Sequence, residues 1–294
     1  MLFAALVSLF AVGVVADLNP GEIAGLVENF KNADLSSLVG GDNFKPDGLL
    51  TGKFGTVDWT VGANLTANET SAFPSFFVNP NANSTTFSNE TQLYSAILVD
   101  AGVAGSNDTT QTLHWLINTI HVNTTGGAPF ALAYANGTTI TEYAGPNPPP
   151  NVGAHRYVLG LFQQPADFVA PTAYSQKNTP VGTFNLAEYI TQSKLGPLVA
   201  ANYFSVANGA IPTGLLQTTA VVSSTISGYT GAAAIPTAAG AEGGGATAGG
   251  TGTGTAGGAN PSEPAASSTA KAGALNLVAP GAIVAIVAGA AALF

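Results

Sequence analysis

Apolar positions along the chain fall into three regimes. Residues 2–15 form a nearly continuous apolar run, and residues 275–294 form another that ends at Phe294. Between them, short apolar and β-branched runs alternate with clusters of Gly, Pro, Asn and Ser, the pattern of strands separated by turns. Such runs occur at 56–61 (TVDWTV), 94–100 (YSAILVD), 113–122 (LHWLINTIHV), 138–143 (TTITEY), 155–164 (HRYVLGLFQQ) and 199–207 (VAANYFSVA). Two segments carry a helical period instead. Ile23, Leu26, Val27 and Phe30 are spaced i, i+3, i+4, i+7. Asn19 as cap, Pro20 as first helical residue and Glu22 as capping-box partner precede them, and Gly40-Gly41 closes that region. A second helix is expected over 186–195, capped by Asn185, with Glu188 at the capping-box position and Gly196-Pro197 as its stop. The middle of the chain therefore reads as mainly β with small flanking helices, without an internal repeat.

The two apolar ends have a different reading. The first is too short to span a bilayer comfortably, and Val14-Val15-Ala16 places small residues before Asp17, as signal peptidase requires. We expect a signal peptide at 1–16; a buried N-terminal helix is the alternative. The terminal run has no charge after it and follows a stretch dominated by Gly, Ala, Ser and Thr. That is the signature of a GPI-attachment tail, removed on anchoring, with Ser267 as the expected attachment residue. A retained single span is the alternative. Residues 231–274 lack any periodic apolar face and are expected to form a disordered stalk. A folded domain is left at 17–230.

Composition sharpens this picture. The 294-residue chain carries a formal charge of −9 with 7 Lys+Arg, so it lacks a polybasic stripe and a nucleic-acid partner is excluded. It has no cysteine, which removes disulfides, thiolate metal sites and thiol nucleophiles but is compatible with export. Asn64, Asn68, Asn83, Asn89, Asn107, Asn123 and Asn136 each open an N-x-S/T sequon. All lie in one half of the chain, which is expected to be glycan-coated. Membrane contact is expected through the lipid anchor.

The chain has three histidines. His155 and Tyr157 are two apart on a predicted strand and share a face. The Pro-dense loop YAGPNPPPNVGA precedes them. Asp100 ends one predicted strand and His114 begins another, so these side chains can converge at strand ends. His121, seven residues beyond His114, falls on the opposite face of a continuous strand. Arg156 alternates away from His155 and reads as a surface or sheet-edge cation. Trp59 and Trp115 read as core. A zinc site from His114, His155 and Asp100 has the ligand types without motif spacing. There is no G-x-S-x-G elbow, no Ser-His-Asp set and no P-loop ending. Neither an enzyme nor a cofactor is expected.

Four segments, in order, carry a resemblance. ILVDAG at 97–102, LHWLINTI at 113–120, YAGPNPPPNVGAHRYVLGLFQQ at 143–164 and FNLAEYITQSKLGPLVAANYF at 184–204 resemble the motifs of the phosphatidylethanolamine-binding family. The resemblance spans about residues 54–207. It implies an antiparallel β-sheet sandwich with small flanking helices and a small anion pocket. That pocket would comprise Asp100, His114, His155 and Tyr157, with Asn147 and Pro148 on its loop. Imidazole N–H, phenol O–H and loop amides would donate to phosphate oxygens, and Asp100 would orient a histidine. The sequence departs from the family at Ala101 and Gly102, which replace the Pro and second Asp of an Asp-Pro-Asp motif, and at Asn147, which replaces a loop glycine. The expected function is an extracellular binding module for phosphate-bearing small molecules or phospholipid headgroups. Two alternatives stand beside it. One is an inhibitor of a serine carboxypeptidase, its working surface including the segment after Asp17. The other is a structural cell-surface glycoprotein with a degenerate pocket. The small-residue stalk is similar in composition to those of fungal surface proteins.

Overall fold

The computed structural model describes Leu18, residues 20–106 and residues 110–210. The expected signal peptide, the stalk, the attachment tail with Ser267, the Asn19 cap and the Asn107 sequon lie outside the described residues. Among the described residues no helix is long and apolar enough to cross a membrane.

Among the described residues, two α-helices, α1 (Pro20–Asn32) and α2 (Leu186–Ser193), accompany eleven strands. The first six strands are β1 (Gly48–Phe54), β2 (Val57–Trp59), β3 (Ala63–Leu65), β4 (Ser75–Pro80), β5 (Tyr94–Val103) and β6 (Gln111–Asn123). They are followed by β7 (Phe130–Ala133), β8 (Thr138–Thr141), β9 (Ala154–Gln163), β10 (Gly182–Phe184) and β11 (Leu198–Ala207). One sheet runs β2-β1-β4-β7-β6-β5-β9-β11-β3. A short parallel pairing of β1 with β11, Gly48 to Ala200 and Leu49 to Ala201, closes it into a barrel-like ring. The other contacts around that ring are antiparallel, so the fold is mainly β as the sequence indicates.

Closure explains the near-continuous apolar runs of the central strands. On β5, Ala96 and Leu98 point into the ring with Trp59, Trp115, Leu159 and Phe204. Their neighbours Ile97 and Val99 point outward into a second core with Leu26 and Phe30 of α1 and Tyr189 of α2. On β9, Tyr157 and Leu159 face in and Val158 faces out. A strand buried on both faces loses the polar half of its alternation. The structure puts both tryptophans in the core, as expected.

β1 and β4 escaped the sequence reading. Gly48 and Gly52 interrupt the apolar pattern of β1, yet a Cβ at either position would collide with the β4 backbone. These glycines mark close strand approach rather than a turn. The helix ends also differ in detail. α1 stops at Asn32, and a separate 3-10 turn at Ser36–Val39 intervenes before Gly40. α2 ends at Ser193 because Lys194 adopts the left-handed conformation (φ 53°), ahead of Gly196-Pro197. Asn185 does cap α2, its side chain accepting from the Glu188 N–H at 3.0 Å. The Glu188 carboxylate accepts from Gln192 rather than completing a capping box.

Candidate functional site

Three strand ends meet at one end of the ring: the C-terminal end of β5 and the N-terminal ends of β6 and β9. Asp100 stands opposite Tyr157 in the β5–β9 ladder. The register then jumps, and the next pair is Val103 with His155. Ala101 and Gly102 form the bulge between them, Gly102 at φ 71°, a left-handed conformation that favours glycine. This bulge turns the Asp100 side chain back on itself. Its Oδ1 accepts from the Gly102 N–H at 2.7 Å, and its Oδ2 accepts from His155 Nδ1 at 2.8 Å.

Tyr157 lies beneath this pair, 1% exposed, stacked on Phe204 with ring centroids 5.4 Å apart. Burial pushes its hydroxyl well above the ordinary phenol value, and the nearby Asp100 charge acts in the same direction. Tyr157 is therefore a neutral phenol that does not offer its hydroxyl at the surface. His114 completes the group. Its ring meets Tyr157 edge-on at 5.2 Å, and its Nδ1 donates to the Ala144 carbonyl at 2.9 Å. Because the carbonyl only accepts, His114 carries its proton on Nδ1; the carboxylate imposes the same on His155. In both rings Nε2 is left without a hydrogen bond to the described residues.

The structure thus brings Asp100, His114, His155 and Tyr157 together. Asn147 and Pro148 lie on the loop that follows β8, and no hydrogen bond joins them to the four. Asn147 is exposed, while Pro148 is buried and its carbonyl accepts from Asn208 at 3.1 Å. The loop is tied down elsewhere. Ala144 exchanges bonds with His114 at both ends, and the Tyr143 hydroxyl, held protonated by burial, donates to the Thr70 carbonyl at 2.7 Å. His121 stays apart, its Nδ1 against the Glu90 carbonyl at 3.2 Å and its strand position opposite Ala133. Among the described residues no group of three or more His, Cys, Asp or Glu is placed to hold a metal ion.

Arg156 corrects the sequence reading. It is 7% exposed, not a surface cation, and its guanidinium makes four hydrogen bonds to main-chain carbonyls. Alternation placed it correctly on the opposite face from His155, but that face is covered by the α1 region. The signal was available: in a chain with 7 Lys+Arg, a cation inside a strand buried on both faces has no solvent to reach.

A closed, mainly β ring with an Asp–His pair at its mouth defines a binding fold, and comparisons with known proteins give the family. The family model described as "Phosphatidylethanolamine-binding protein" matches residues 41–207, more than half of the chain. The chain belongs to the phosphatidylethanolamine-binding protein family. It is 32% identical over 115 residues to the rice Protein MOTHER of FT and TFL1 homolog 2, covering 38% of this chain and 59% of that protein. It is also 32% identical over 125 residues to Phomoidride biosynthesis cluster protein N of a fungal species, covering 38% of this chain and 52% of the relative. The chain spans about half the length of these curated relatives. The solved carboxypeptidase Y inhibitor, in complex with its cognate proteinase, shares the fold with TM-score 0.51 at 19% identity. That match covers 62% of this chain and 95% of the inhibitor.

Proposed function

We propose that this chain is a non-enzymatic binding module that holds a phosphate-bearing small molecule or phospholipid headgroup at the Asp100–His155–His114 site. The observation that carries the reading is the pair of imidazoles whose Nδ1 atoms are fixed by acceptors. Each leaves Nε2 as the ring nitrogen for a ligand. Protonated there, each ring becomes a directed, charge-assisted donor to an anionic oxygen, and Asp100 fixes the orientation of the His155 ring. Calorimetric titration of the protein with inorganic phosphate and with phosphoethanolamine is the test. Saturable binding that weakens at least tenfold in His155→Ala supports the reading. No binding by a folded wild-type protein overturns it.

The setting we propose is extracellular: residues 1–16 removed as a signal peptide, the tail exchanged for a lipid anchor near Ser267, and N-linked sugar on the sequons. The six sequon asparagines among the described residues, Asn64, Asn68, Asn83, Asn89, Asn123 and Asn136, are all exposed, as occupied sites must be. Peptide-N-glycosidase treatment of protein from the native source should lower its mass stepwise, and phospholipase cleavage should release it from membranes. An unchanged mass would remove the glycoprotein reading.

The likeness to a carboxypeptidase Y inhibitor supports a second reading, inhibition of a serine carboxypeptidase. That activity would depend on residues 17–35 and survive His155→Ala, which separates it from anion binding.

A further inference from the structure

The anion-site reading gives no role to Arg156, although its backbone lies between two residues of the site. Its side chain points to the other face of β9 and reaches two separate stretches of main chain. Nε donates to the Gly102 carbonyl at 3.0 Å and Nη2 to the Ala101 carbonyl at 2.8 Å. Nη1 donates to the Ala33 carbonyl at 2.5 Å and to the Asp34 carbonyl at 3.0 Å. Ala33 and Asp34 immediately follow α1, and Asp34 is held at φ 56°. Among the described residues no carboxylate lies within ion-pair distance of the guanidinium. Burial accordingly lowers its affinity for its proton, and the more distant charges of Asp34 and Asp100 act the other way.

The partners matter more than the charge. Ala101 and Gly102 are the bulge residues, skipped when the β5–β9 register jumps from Asp100–Tyr157 to Val103–His155. Their carbonyls therefore lack ladder partners on β9, and a carbonyl partly shielded from water is costly to leave unpaired. Arg156 supplies both donors through the planar fork of its guanidinium. Gly102 is also the residue whose N–H holds Asp100, and Asp100 holds His155. A continuous chain of bonds runs from the end of α1, through Arg156 and the bulge, to the His155 ring.

We infer that Arg156 is a positioning residue for the anion pocket: it fixes the Ala101–Gly102 bulge that aims Asp100 at His155, and makes that geometry depend on α1 staying docked. This rests on the reading of Asp100 and His155 as an anion site, but its structural half does not need a ligand. Lysine at 156 keeps the positive charge and loses the fork, so it cannot serve four carbonyls in two directions.

The experiment compares wild type with Arg156→Lys in the full chain by two readouts. The first is the His155 Nδ1–H resonance in ligand-free protein, a direct report of the Asp100 bond. The second is affinity for inorganic phosphate. We expect the resonance to shift or broaden away in Arg156→Lys and phosphate affinity to fall at least tenfold, with the other β-sheet amide resonances in place. An unchanged His155 resonance with affinity within threefold of wild type overturns the inference. If wild type does not bind phosphate, the anion reading fails, while the resonance still decides the role of Arg156. Should Arg156→Lys not fold, Gly102→Ala strains the same bulge and leaves Arg156 in place. It should produce the same change at His155, and an unchanged resonance would again overturn the inference.

Discussion

His114 and His155 each commit Nδ1 to an oxygen that can only accept, the Ala144 carbonyl and the Asp100 carboxylate. Nε2 is thus the ring edge each histidine leaves for a ligand. His114→Ala should weaken phosphate binding at least tenfold in calorimetric titration, as His155→Ala should, and wild-type affinity in that variant would contradict a site built from both rings. At this scale the sequence was legible where chemistry is local. His155 and Tyr157 share a face because they are two apart on a strand. The burial of Arg156 could have been read from its strand, but its partners could not, since the four carbonyls come from the α1 exit and the β5 bulge, far away along the chain. Nor could the depth of Tyr157, which lies 1% exposed opposite Asp100. Gly102 stood out only as a departure from the family motif; the bulge conformation gives it a reason.

Among the elements, both helices, the long strands and the short β2 and β8 could be read from pattern, while β1, β3, β4, β7 and β10 could not. β5, β6, β9 and β11 carry long apolar runs because both their faces are covered. β1 is broken by Gly48 and Gly52, whose purpose is visible only against β4. β11 shows how elements are joined where ladders run out. Its parallel pairing with β1 covers only Gly48–Ala200 and Leu49–Ala201. One residue further, the fully buried Asn202 side chain donates to the Leu50 carbonyl at 2.6 Å. Asn202→Leu leaves that carbonyl without its donor and should destabilise the fold by about 1–3 kcal/mol. Chemical denaturation would measure it, and a change within experimental error would mean that the side-chain bridge does not contribute to closure.

For the molecule as a whole, closure of the ring produces two cores, and tyrosines in both are buried with their hydroxyls inside. Burial pushes Tyr94 and Tyr189 up to about 12 and raises Tyr143, Tyr157 and Tyr203 further. A phenol with a raised value in the folded state keeps its proton there after the unfolded chain has lost it. The stabilisation is complete below the unfolded value of about 10 and is lost as pH climbs beyond it. The melting temperature should therefore fall steeply above about pH 10. A flat profile to pH 11.5 would contradict the burial described. At this scale the family and fold class were legible because four motifs occur in order. The parallel closure by β1 was not, because it joins residues about 150 positions apart through two residue pairs.

If Nε2 of His114 and His155 faces an anionic ligand, nitrogen-detected NMR of the imidazoles will report the contact. Wild-type protein with 15N-labelled histidine would be titrated with phosphoethanolamine, with His121 as an internal control. Nε2 of His114 and His155 should shift as ligand is added, saturably and together, while His121 is unmoved. Equal, non-saturating shifts at all three histidines, or none at His114 and His155, would contradict that contact.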